Sequence, residues 1–159
     1  MRTRRFTLLA STLLVSVFML GAVAQAADHQ VGTWKLDVAK SKYSPGPPPK
    51  ESMLKIQSQA DGLKFTIDTI DAEGKTIHSE ASPKYDGKDY PMTGNPNADS
   101  ISLKKINDHT IETQTKKDGK PLTTIRSVVS KDGKTRTSTY TGKNAKGQEV
   151  NNTTVSIRQ

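Results

Sequence analysis

The chain has 159 residues, 24 basic against 16 acidic, and no cysteine. That length holds one domain beside a short extra segment, and the missing cysteines exclude disulfides, thiolate metal sites and a cysteine nucleophile together. The basic residues are scattered lysines without an RNA-binding aromatic motif or zinc-finger spacing, so nucleic acid is not an expected partner.

Residues 1–26 read as a cleavable export signal. Arg2, Arg4 and Arg5 form a positive start, Leu8 to Val23 carries no charge, and Ala24-Gln25-Ala26 places small side chains where signal peptidase needs them. The apolar run of sixteen residues falls short of the ~20 that span a bilayer, so removal is expected rather than retention as an anchor. With no cysteine to acylate, a free periplasmic or secreted protein is the expectation. Residues 27–31 are then a short N-terminal extension, and 32–159 a single domain.

In the 133 residues left, 21 are Leu, Ile, Val or Phe, about 16%, below the ~20% at which disorder becomes an alternative. Their arrangement argues for order. Gly32-Thr33-Trp34-Lys35-Leu36 alternates with Trp34 and Leu36 on one face, and Ser44 to Pro49 can be neither helix nor central strand. Leu54 and Ile56 alternate next. Asp61-Gly62 turns the chain into Leu63, Phe65 and Ile67, and Asp71-Ala72-Glu73-Gly74 turns it again. Ile101 and Leu103, then Ile111, Thr113 and Thr115, repeat the pattern, with Asp118-Gly119, Asp132-Gly133 and Ala145-Lys146-Gly147 as later turns. No stretch sustains a helical apolar period. These features predict an all-β antiparallel up-and-down meander of about 8–10 strands. Closure into a barrel would remove its two open edges. Lys, Glu, Gln and Thr at the alternate positions do not suit lipid contact, so membrane insertion is not expected.

Counting outward from Asp118-Gly119 as a two-residue loop sets Lys117 opposite Lys120, Thr115 opposite Leu122, Thr113 opposite Thr124 and Ile111 opposite Arg126. The count from Asp132-Gly133 sets Val128 opposite Thr137 and Arg126 opposite Thr139. Together they place Ile111, Thr113, Thr115, Leu122, Thr124, Arg126, Val128, Thr137 and Thr139 on one, luminal, face. Glu112, Gln114, Lys116, Arg136, Ser138 and Tyr140 then lie on the other, with Ile125 and Val129. A one-residue bulge would flip part of this assignment. The first face, half apolar and half threonine, suits a partly wet cavity better than a dry core.

The Gly-Thr-Trp-Lys-Leu opening, the Asp-Gly meander and the length of the domain resemble the lipocalin and fatty-acid-binding-protein superfamily. The opening also resembles that of small exported bacterial proteins. The superfamily resemblance implies a calyx around an apolar or amphipathic ligand, with Arg126, eight residues after Asp118, as the luminal arginine that meets its polar end. Val155-Ser156-Ile157 stands where the fatty-acid-binding proteins carry an Arg-x-Tyr, and the Pro-rich stretch replaces their helical lid.

Other chemistry is sparse. His29, His78 and His109 have no metal-site spacing, and there is no Gly-x-Ser-x-Gly, phosphate-binding glycine loop or His-Glu-x-x-His, so neither catalysis nor a cofactor is expected. Cleavage after Ala26 would expose Ala27-Asp28-His29, whose amine, two amides and imidazole can form a square-planar nitrogen set for Cu(II) or Ni(II). Two functions remain: a carrier for a small amphipathic ligand in the lumen, or an envelope interaction module, inhibitor or adaptor, with a filled barrel and working loops. A lumen of ~300 Å³ or more favours the carrier.

Overall fold

A computed structural model describes residues 28–159. Residues 1–26, expected above to be an export signal, and Ala27 lie outside the described residues. Ten strands follow one another: β1 (Gly32–Lys42), β2 (Glu51–Gln59), β3 (Gly62–Ile70), β4 (Thr76–Ala81), β5 (Tyr90–Thr93), β6 (Ser100–Asn107), β7 (Thr110–Lys117), β8 (Lys120–Val129), β9 (Thr135–Lys143) and β10 (Glu149–Arg158). Each pairs antiparallel with its neighbours in sequence, and β1 pairs with β10, which closes the barrel. Such an architecture is compatible with a calycin-like fold. Among the described residues no helix is long and apolar enough to cross a membrane.

The turn chemistry works as the residue types require. At the β7–β8 hairpin Asp118 and Gly119 take φ of 50° and 72°, the left-handed pair that lets a two-residue loop match the strand twist. The seam at β5 is thin. Only Glu80↔Thr93 and Ala81↔Met92 join it to β4, and Tyr90↔Ile101 and Pro91↔Ser100 join it to β6.

The buried apolar residues form two clusters, a smaller one of Ala81, Met92, Ala98 and Ile101 and a larger one at one end of the barrel. Trp34, Ile56, Leu63, Phe65, Leu103, Ile111 and Val129 form a dry cluster there. The Trp34 indole is fully buried and donates from Nε1 to the carbonyl oxygen of Gln30 at 2.9 Å. Arg158, the last residue of β10, lies 4.2 Å from the centre of its ring. The same guanidinium donates to the carbonyls of Gly133, Val31 and His29 at 2.6–2.8 Å, tying the β8–β9 turn and the N-terminal segment to the last strand. Burying an indole removes ~150–250 Å² from water, worth about 4–6 kcal/mol at ~25 cal/mol per Å². Within residues 28–31, Gln30 is fully buried and, with Asp28 and Val31, stoppers this end.

Candidate functional site

The opposite half of the barrel is hollow. A cavity of about 750 Å³ runs from a mouth at the β1–β2 loop (Tyr43, Pro45, Pro47) and the β3–β4, β5–β6 and β9–β10 turns down to Trp34 and Arg136. That volume lies within the ~300–1,000 Å³ of small-molecule sites. Burial pushes the Tyr43 phenol at the mouth up to about 12, with Tyr140 adding to the effect, so it stays a neutral hydrogen-bonding group.

At the floor sits Arg136, 7% exposed. Its Nε donates to Gln30 Oε1 at 3.2 Å, and its Nη1 and Nη2 donate to Ser138 Oγ and Ser127 Oγ at 2.9 Å each. The two serine hydroxyls are themselves 2.9 Å apart, and Gln30 is held by donating from Nε2 to the carbonyl of His109. Every partner is neutral. Among the described residues no carboxylate pairs with Arg136, and burial lowers its pKa from the usual guanidinium value, although an arginine stays charged in such a setting. Effective desolvation of a buried ion costs several kcal/mol even after relaxation. Neutral oxygens offset only part of that, so the floor holds a positive charge without a counter-charge.

The sequence counts placed a different arginine here. Arg126 is exposed, with Glu112 and Thr139 as its cross-strand neighbours, and its luminal placement is corrected. The pairing holds at Lys117↔Lys120 and Lys116↔Pro121, but Gln114 then faces Thr124 instead of Thr123. One β7 residue, Thr115, therefore opposes two on β8, Leu122 and Thr123, which is a β-bulge. Thr115 Oγ1 fills the broken ladder, donating to the Thr123 carbonyl at 3.3 Å and lying 3.4 Å from the Thr123 amide. Pro121, with no N–H to give the ladder, precedes the bulge. On β9, Gly142 takes φ of 127° and passes so close to the Leu122 carbonyl that a Cβ there would collide with it.

Past the bulge every side chain changes face. Ile111, Thr113 and Thr115, before it, stand on the inner face: Ile111 in the dry cluster, the threonines on the cavity. Beyond it, Arg126, Val128 and Thr139 are exposed, Thr124 and Thr137 are half-buried on the outer face, and Leu122 is half-buried at the bulge itself. The pairs Val128↔Thr137 and Arg126↔Thr139 form as counted, but on the outside. Ile125, Ser127, Val129, Arg136, Ser138 and Tyr140 point inward in their place.

The Ala27-Asp28-His29 set is divided. Ala27 lies outside the described residues, while Asp28 and His29 are engaged in closing the floor. Asp28 Oδ1 accepts from the Gln30 amide at 2.9 Å, its Oδ2 accepts from the Tyr85 hydroxyl, and Arg158 binds the His29 carbonyl. Burial, then this contact with Asp28, raises the Tyr85 pKa. The His29 ring stacks on His109 with centroids 4.0 Å apart, a pairing that sequence spacing did not show. Among the described residues no three or more metal-ligating side chains come together. No protein-family model matches the chain, and no curated protein matches it.

Proposed function

We propose that this protein is an exported carrier that encloses a small amphipathic anion in its barrel, with the anionic end at Arg136 and apolar parts against Trp34, Leu54 and Phe65. Kinship with lipocalin-like and fatty-acid-binding barrels belongs to the same reading, as does a periplasmic or secreted location. The observation that carries it is a buried guanidinium with only neutral partners at the floor of a cavity of about 750 Å³. Arginine's planar fork meets carboxylate or sulfonate oxygens well, and a ligand anion would supply the missing counter-charge. The alternative, an interaction module with a filled barrel, finds less support in a lumen of this size.

The test is binding of an anionic naphthalene sulfonate followed by fluorescence, in the mature protein and in Arg136→Met. Affinity should fall at least about tenfold, since a charge-assisted hydrogen bond is worth ~1.5–3 kcal/mol, while Arg126→Met should leave it unchanged. Equal affinity of wild type and Arg136→Met rejects the reading. Intact mass of the native protein, showing loss of residues 1–26, tests export.

A further inference from the structure

The cavity is lined unevenly, and the unevenness runs along its length. Strands β1–β6 present Trp34, Leu36, Leu54, Phe65, Ile67 and Ile101 to it, with Ser52 and Thr69 as the polar interruptions near the mouth. Strands β7–β10 present Thr113, Thr115, Arg136, Tyr140, Thr154 and Ser156, with the Asn152 amide among them and Ile125 as the apolar exception. One wall is a hydrocarbon surface and the facing wall is a bank of hydroxyls.

Three of those hydroxyl residues are deeply placed. Thr113, Thr154 and Ser156 are 6%, 8% and 9% exposed, yet none of their hydroxyls has a hydrogen-bond partner among the described residues. Among these residues the one buried side-chain atom both unpartnered and sealed from solvent is His109 Nδ1. The three hydroxyls are therefore open to the cavity, each able to donate once and accept twice. A simple alkyl chain lying there would strip water from them and give nothing back, an unfavourable exchange for each group left unpaired.

We infer that the ligand class is a facially amphipathic anion, a stiff molecule with an apolar face, a row of hydroxyls along the opposite face, and an acid group at one end. This rests on the carrier reading and narrows it. The apolar face lies on the β1–β6 wall, the hydroxyl row meets Thr113, Thr154 and Ser156, and the acid reaches Arg136. Specificity comes from the penalty on ligands lacking the hydroxyls, because a site built of hydrogen-bonding groups rejects the analogue that leaves them unmatched.

The experiment compares cholate, which carries three hydroxyls on one face, with 5β-cholanate, the same carboxylate and ring skeleton without them. Palmitate serves as the flexible control. Displacement of the naphthalene sulfonate should show cholate binding about tenfold or more tightly than 5β-cholanate, the ratio that one to two net hydrogen bonds supply. The double variant Thr113→Val/Thr154→Val, nearly isosteric and checked for a native near-ultraviolet spectrum, should erase that preference while keeping the affinity for 5β-cholanate. If the double variant does not fold, Ser156→Ala alone should reduce the ratio. Binding of 5β-cholanate or palmitate as tight as cholate, in an Arg136-dependent manner, overturns the facial inference and leaves the carrier reading standing. Failure of all three to displace the probe overturns both.

Discussion

Trp34 and Leu36 sit two residues apart on the same face of β1, one with no exposure beneath Gln30 and Arg158, the other half-buried against open space. The closed end collects the large apolar side chains, caps them with Gln30 and locks them with Arg158. The hollow half keeps aliphatic residues on one wall and hydroxyls on the other. A chain with so few aliphatic residues cannot pack both halves to interior density. It concentrates packing, and with it stability, at one end, and leaves the other hollow.

The largest expected effect follows from that division. Trp34→Ala should destabilise the barrel by about 3–5 kcal/mol in urea unfolding, as for other large aromatic truncations in cores. Leu36→Ala, whose side chain already borders a void, should cost under about 1.5 kcal/mol because the atoms removed have fewer packed neighbours. Equal losses at the two sites would mean that the hollow half is packed as tightly as the closed end.

Arg136→Met comes next, with the opposite sign. Replacing a buried ion by an apolar side chain of similar volume is often neutral or stabilising by ~1–4 kcal/mol. The unliganded variant should therefore match or exceed wild type in urea midpoint while losing anion binding. A destabilised variant would show that the Gln30–Ser127–Ser138 shell already satisfies the guanidinium without any ligand.

The smallest effect lies on the outer surface. His78 Nδ1 is 2.6 Å from Asp68 Oδ1, and that hydrogen bond is the main cause raising its pKa above the usual 6.5, with Asp68 and Glu80 charges adding to it. A raised folded-state pKa gives stability that is fully present below the unfolded value and is lost as pH rises through the folded one. The protein should thus be slightly more stable just below pH 6.5 than at pH 8 from this pair, by a margin kept small by solvent exposure. NMR titration should show the His78 midpoint moving down in Asp68→Asn, and an unmoved midpoint would refute the assignment.

Alternation and turn residues were enough to determine an all-β antiparallel meander, while closure was expected only as the way to remove its open edges and is shown by the pairing of β1 with β10. Period-two patterning fixes strand type wherever one face is buried, and Asp-Gly pairs force tight reversals where they stand. They also placed Ile111, Thr113 and Thr115 on one face of β7. The face presented by β8 and β9 was not legible, because the two candidate faces of β8 are matched: Leu122 and Val128 on one, Ile125 and Val129 on the other. With equal apolar content on both sides, nothing local sets the register, and a one-residue slip exchanges the faces. Pro121 inside a strand was the available signal of a bulge. Only the closed barrel decided the matter. Ring closure fixes how far each strand is staggered against the next, and the bulge at Leu122–Thr123 decides which face of β8 turns inward. The role of Gln30 was hidden for a related reason. Its partners, Trp34 on β1, His109 in the β6–β7 turn and Arg136 on β9, lie far apart in sequence, and they meet only when the barrel closes.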